Sequence, residues 1–221
     1  MSLTGFRINP AADVAPKALL AAFANVVTPH LSDNMARSTG IVGLTRYNQR
    51  GKLVGTALTV KCRPGDNLMI YKALTQMQPG HVLVVDGGGE PHNALVGELI
   101  KLHAQQHGCV GFVVDGAIRD VAAFEDFPCY ARSVVHRGPY KDGPGELNVP
   151  VCVGGQIVNP GDIVVGDEDG VVTFALDEAE QLLALAEKHR AKEDAIQAEI
   201  ATGRREQKWI EQILAAKNLV A

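Results

Sequence analysis

Hydrophobic and polar positions along the chain change rhythm twice. In the first half, short β-branched runs alternate with longer stretches of helical spacing. Strands are predicted over 53–62, 81–85 and 109–114, with helices over 67–77 and 93–106 between them. Asp66 caps the first of these helices and Pro79-Gly80 closes it, while Gly108 ends the second. Upstream, an alanine- and leucine-rich stretch predicts a helix over 16–26. It stops at Thr28-Pro29, because a residue that precedes proline is pushed out of the helical region. Ser32 or Asp33 then caps a second, shorter helix reaching about Arg37. This alternation predicts an α/β layer structure with parallel strands.

After Asp120 the runs become shorter. Strands are predicted over 128–135, 149–153, 156–158, 163–165 and 171–175. They are joined by turns such as Asn159-Pro160-Gly161-Asp162 and Asp167-Glu168-Asp169-Gly170. This half reads as antiparallel or swivelled β structure beside the first layer. The third rhythm is a long charged helix over 177–201, broken at Thr202-Gly203. An amphipathic segment over 206–216 follows, carrying the only tryptophan, Trp209. The predicted division is an α/β domain over 1–176 and a helical tail over 177–221. The tail has too little chain left to pack against, and is expected to lie on a neighbouring subunit.

Composition narrows the function classes. An apolar content of 46% permits a sizeable core. A net charge of −4, with no basic stripe interleaved with aromatics, speaks against a nucleic-acid partner. No apolar run approaches the ~18 residues of a membrane span, and residues 1–10 lack a hydrophobic signal region. Cys62, Cys109, Cys129 and Cys152 are widely spaced, without zinc-finger or redox spacing. They are expected to be reduced core residues of a cytoplasmic protein.

Candidate chemistry concentrates where predicted strands end. Residues 109–114 stop at Asp115-Gly116, and Arg119, Asp120 and a short helix over 121–124 follow at once. A buried strand would thus deliver a cation and a carboxylate to the edge where open α/β sheets place ligands. The bland alternative is a surface ion pair capping a helix. A second strand ends in Asp86-Gly87-Gly88-Gly89, so two carboxylate-glycine turns would line one rim. The triple glycine has neither dinucleotide-fingerprint nor P-loop spacing. Gly97-Glu98 follows. A helix beginning near Gly97 would offer free N–H groups to a substrate carboxylate, whereas mid-helix Glu98 would be a solvated face residue. His103 and His107 sit where they complement a helix C-terminus rather than bind zinc. Oxygen ligands from Asp120 and Glu98 suit magnesium or manganese instead.

Asp115-Gly116-x-x-Arg119-Asp120, with the preceding triple glycine and Gly97-Glu98, resembles the RraA-like family. The likeness runs from about Leu31 to Ala175 and includes the stretch from His136 to Glu146. It is greatest to the enzyme branch, the 4-hydroxy-4-methyl-2-oxoglutarate/4-carboxy-4-hydroxy-2-oxoadipate aldolases. These are class II pyruvate aldolases that also decarboxylate oxaloacetate. The resemblance implies an α/β/β/α sandwich of the swivelling-domain type with a C-terminal helical tail, assembled as a homotrimer or hexamer. It implies Asp120 as the direct ligand to Mg²⁺ or Mn²⁺. Glu98 would act through water, as would a glutamate from a neighbouring tail, Glu193 first and Glu199 second. Arg119, with Gly97, Glu98 and Leu99, would bind a small oxo-acid substrate. The enzyme motif usually carries an acidic residue three positions after its aspartate, and Ala123 stands there. No lysine joins the constellation convincingly, Lys101 and Lys141 being the nearest, which disfavours a Schiff-base aldolase. The alternative is a non-catalytic RraA-type regulator of ribonuclease E.

Overall fold

The computed structural model describes residues 3–203 and 207–219. Within it the chain forms two compact units, Met1–Ala186 and Glu187–Ala221.

The first unit is built on an eight-stranded sheet. Its strands are β1 (Thr45–Arg46), β2 (Leu53–Cys62), β3 (His81–Val96), β4 (Gly111–Ile118), β5 (Cys129–Val134), β6 (Gly145–Leu147), β9 (Ile163–Gly166) and β10 (Val171–Phe174). The order is β1-β5-β4-β3-β2-β9-β10, with β6 added to β2. Strands β2 to β5 are mutually parallel, as the strand–helix alternation predicts, and the remaining pairings are antiparallel. A separate hairpin joins β7 (Val151–Val153) to β8 (Gln156–Val158). Helices α1 (Lys17–Ala22), α2 (Thr28–Asn34), α3 (Leu68–Leu74), α4 (Glu98–Gln106) and the start of α5 (Ala179–Ala201) complete the unit.

Successive side chains of the central strands supply two different cores, because residues along a strand alternate between faces. Leu83, Val85, Phe112 and Val114 pack with Ile70 and Leu74 of α3 and Ile100 and Ala104 of α4. Val82, Val84 and Val113 pack with Val151, Val153 and Val158 of the hairpin. A third cluster sets Ile163, Val165, Val172 and Phe174 against Phe23, Leu31, Ala179 and Leu182. The sheet is therefore buried on both faces, and β4 reads as an unbroken apolar run for that reason.

Several elements depart from the sequence expectations. The first predicted helix is a six-residue α1 followed by a 3₁₀ turn, Phe23–Asn25. The second starts at Thr28, not Ser32 or Asp33. Proline is favourable in a first helical turn, whose N–H groups lack intrahelical partners anyway, and Thr28 is instead held by Asp167 (N to Oδ2 2.7 Å, Oγ1 to Oδ1 2.6 Å). The glycine sequences at 86–89 and 115–116 do not end their strands. β4 runs on to Ile118, and β3 continues to Val96, so α4 begins at Glu98 and not at Asn93. Cys62, Cys109 and Cys129 are buried thiols, and burial pushes Cys109 up to about 11, but Cys152 is exposed on β7.

The second unit holds the remainder of α5 and α6 (Lys208–Ala216). Glu206, the expected start of that last segment, lies outside the described residues. The first compact unit extends to Ala186, ten residues beyond the sequence-based boundary, because Ala179, Leu182 and Ala186 of α5 are buried. Among the described residues no helix is long and apolar enough to cross a membrane.

Candidate active site

The site is made where β3 and β4 end side by side. The two strands run in register from Val82/Gly111 to Asp86/Asp115, then slip past one another. Gly88 and Gly89, with φ of 67° and 69°, carry β3 through left-handed backbone that other residues rarely adopt. The strand slips out of register and meets β4 again at Glu90, Ala94 and Val96. Its second half thus delivers Gly97 and the start of α4 beside Arg119 and Asp120.

The sequence reading of paired carboxylate-glycine turns is corrected in part. Asp86 and Asp115 are direct neighbours in register, yet both are engaged in holding the fold. Asp115 is 5% exposed, bonds Arg132 through both carboxylate oxygens and accepts Gly154 N at 2.8 Å. This contact raises the Arg132 guanidinium above its ordinary value. Asp86 accepts Gly88 N at 3.0 Å and Cys152 N at 3.5 Å.

Arg119 follows β4 directly, and its amide donates to Val96 O at 3.0 Å. Asp120 adopts left-handed backbone (φ 54°, ψ 41°). Aspartate tolerates that region better than most residues, though such conformations cost on the order of 1 kcal/mol or more and cluster at functional sites. The carboxylate does not cap the 3₁₀ turn Val121–Phe124 that follows it. Instead Oδ2 accepts the backbone N–H of Glu98, the first residue of α4, at 3.1 Å. Oδ2 also lies 3.5 Å from Arg119 Nε. Both side chains stay open, Arg119 at 41% and Asp120 at 45% exposed.

Gly97 is the N-cap of α4, as the carboxylate-binding reading requires. A Cβ built there would sit 2.6 Å from Asp120 Oδ2 and 3.0 Å from Arg119 Cγ. Any larger residue there would push the two side chains aside. Glu98 and Leu99 are exposed, so Glu98 meets Asp120 through its backbone. Glu193 and Glu199 lie on α5 in the second unit, where His189 Nε2 is 3.3 Å from Glu193 Oε1. Ala123 leaves its position in the motif apolar, and its carbonyl accepts Lys101 Nζ at 2.6 Å.

Beside the pair lies a narrow cleft of about 40 Å³, lined by Arg119, Gly97, Leu99, Asn67, Tyr71 and Lys141 among others. Sequence reasoning did not place Asn67 or Tyr71 here, and named Lys141 only as a candidate for the disfavoured Schiff-base chemistry. Asp66 does so: buried to 1%, it caps α3 at Leu68 N (2.9 Å) and accepts Asp142 N (2.6 Å) and Gly143 N (2.9 Å). One carboxylate ties the 140–143 loop to the helix carrying Asn67 and Tyr71. The helix-cap signal at Asp66 was legible, but its second set of partners lies more than seventy residues away.

The donor chemistry fits a hard divalent cation. Asp120 offers a half-exposed carboxylate whose Oδ1 takes no hydrogen bond among the described residues, and Glu98, whose backbone N–H meets Asp120, carries a second exposed carboxylate. Oxygen donors with room for water suit Mg²⁺ or Mn²⁺.

Comparison with known proteins identifies the family. The family model described as RraA-like, Aldolase/RraA, matches residues 28–173. A Halalkalibacterium halodurans protein named "Putative 4-hydroxy-4-methyl-2-oxoglutarate aldolase" is 36% identical over 176 residues, covering 78% of this chain and 84% of its own. RraA from Thermus thermophilus, described as an RNA-processing inhibitor, superposes with a TM-score of 0.62 at 31% identity, covering 68% of this chain and 93% of its own. Streptomyces coelicolor RraAS2, described as an unusual member of the RNase ES inhibitor RraA family, gives 0.76 at 24% identity, over 84% and 99%. The chain therefore has the RraA-like α/β fold with a C-terminal helix, and it belongs to the RraA-like family.

Proposed function

We propose that the protein is a divalent-metal-dependent lyase that cleaves 4-hydroxy-2-oxo acids such as 4-hydroxy-4-methyl-2-oxoglutarate to pyruvate, and that it also decarboxylates oxaloacetate. The observation that carries this reading is the Arg119-Asp120 pair. A strained backbone holds a half-open carboxylate and a guanidinium together against the N-terminus of α4. The relative named as an aldolase supports it.

In the cleavage, the C3–C4 bond breaks as the C4 hydroxyl loses its proton, and the bonding pair becomes the enolate of pyruvate. Arg119 supplies a fixed positive charge for the developing oxyanion, which a preorganised site stabilises best. Free N–H groups at the start of α4 orient the substrate carboxylate. Asp120 would hold the cation, and a water held by Glu98, or by the tail glutamate, would take the hydroxyl proton and return it to the enolate carbon. A divalent cation bound there supplies Lewis-acid stabilisation of the 2-oxo oxygen. Oxaloacetate reaches the same enolate by losing carbon dioxide, so one site serves both reactions. In this reading the chain works as a homotrimer or hexamer, with an α5 glutamate of a neighbouring subunit, Glu193 or else Glu199, completing the water shell.

The test is pyruvate release from both compounds with Mg²⁺ and with EDTA, for wild type and Asp120→Asn. Activity that requires both the metal and the Asp120 carboxylate is expected; activity in EDTA would sink the metal-dependent reading. The likeness to Thermus RraA favours a second reading, a non-catalytic regulator that binds a ribonuclease. A folded wild type that is silent on both substrates yet inhibits ribonuclease E would establish it.

A further inference from the structure

We infer that a second cavity, lined by the end of α2, by β8 and β10 and by the start of α5, binds a small organic amine. The ligand is an alkylammonium whose charged end meets carboxylates and whose chain lies on apolar side chains. The cavity holds about 460 Å³, within the range of small-molecule sites. It shares no lining residue with the cleft beside Arg119.

Its charge has one sign. Asp162 and Glu178 line it, and no lysine, arginine or histidine does so among the described residues. Asp162, 7% exposed, sits in the turn between β8 and β9. That turn is fixed to β2, since Ala57 N donates to Asp162 O at 2.8 Å and Gly161 N to Ala57 O at 3.0 Å. Oδ2 accepts Asn159 N at 2.8 Å, while Oδ1 takes no hydrogen bond among the described residues. Burial pushes this carboxyl above its ordinary value, and the Glu178 and Asp177 carboxylates add to that push. A positive charge beside Asp162 offsets both effects.

An independent feature also points to a ligand. Thr173 on β10 lines the cavity and is only 3% exposed, yet its Oγ1 has no hydrogen-bond partner among the described residues. A buried hydroxyl without a partner is costly, and a donor entering the cavity removes that cost. An ammonium carries three donors and no acceptor, which matches an array of carboxylate and hydroxyl oxygens. An anionic ligand would instead meet two like charges. Met35, Phe174, Leu182 and Leu185 supply the apolar wall for the alkyl chain.

The test uses three ligands of one chain length. Hexylamine, which is charged at neutral pH, is titrated calorimetrically into the full-length protein beside hexanol and hexanoate. Wild type is expected to bind hexylamine roughly 10-fold tighter than hexanol, the scale of a charge-assisted hydrogen bond, and to leave hexanoate unbound. Glu178→Gln and Asp162→Asn should each weaken hexylamine about 3- to 10-fold with hexanol unaffected. Thr173→Val keeps the side-chain shape, removes the hydroxyl and should also weaken hexylamine. Asp162 holds its own turn as well, so the exposed Glu178 and the isosteric Thr173 variant decide the matter if Asp162→Asn fails to fold. No binding of hexylamine to wild type, equal affinity for hexylamine and hexanol, or undiminished hexylamine affinity in both Glu178→Gln and Thr173→Val would overturn the inference.

Discussion

At the scale of single residues, the site depends on how little room Gly97 leaves. A methyl group there meets Asp120 Oδ2 and Arg119 Cγ, both parts of flexible side chains rather than backbone. Gly97→Ala should therefore displace the pair without unfolding the chain. Misplacing a reacting group by about 1 Å costs up to roughly 10²-fold in rate, so pyruvate release should fall about 10- to 100-fold while the melting temperature barely moves. Asparagine is the informative replacement at Asp120 because it also tolerates left-handed backbone, whereas alanine would add strain to the lost charge. The Arg119-Asp120 pair was legible because its members are adjacent and follow an apolar run. Asn67 and Lys141 were not, since backbone hydrogen bonds between distant segments bring them together.

At the scale of elements, the parallel centre and most strand positions followed from alternating apolar runs. What was misread is β3. Three consecutive glycines look like a turn, but here they let a paired strand slip its register and resume. Local composition cannot distinguish these, because rejoining depends on Gly116, Ala117 and Ile118 of the neighbouring strand. The same junction is held by Asp115, whose loss would leave Arg132 and Gly154 N without their acceptor. Hydrogen bonds to charged groups contribute about 1.5–3 kcal/mol. Asp115→Ala should lower unfolding free energy by about 2–3 kcal/mol in urea titrations, and an unchanged midpoint would remove Asp115 from its structural role.

At the scale of the whole molecule, the N-terminal segment is fastened to β6, the strand added to β2, and to Asn148 just beyond it. Arg7 pairs with Glu146 on β6, Asn9 N donates to Leu147 O at 3.1 Å, and Asn9 and Asn148 exchange side-chain-to-backbone bonds of 2.9 Å. The hydrogen bond from Arg7 holds the Glu146 carboxyl below its ordinary value. A carboxyl lowered by folding stabilises the protein above its unfolded value, near ~4.3, and that contribution fades as pH falls through the folded value. Glu146→Gln should therefore melt below wild type at pH 7, and the gap should narrow as the pH falls below the unfolded carboxyl value; a gap independent of pH would assign the effect to packing instead. Molecular assembly was the part least written in one chain's pattern, since an exposed helical face such as that of α6, with Trp209 58% exposed, names no partner by itself.

Asp66 anchors one wall of the cleft and β4 the other. It fastens the loop bearing Lys141 to α3 by three amides, while Arg119 and Asp120 follow β4 and meet the start of α4 through a different set of contacts. The two walls are thus tied down separately, and substitutions at residues 140–142 can alter one while the placement of Arg119 and Asp120 stays the same.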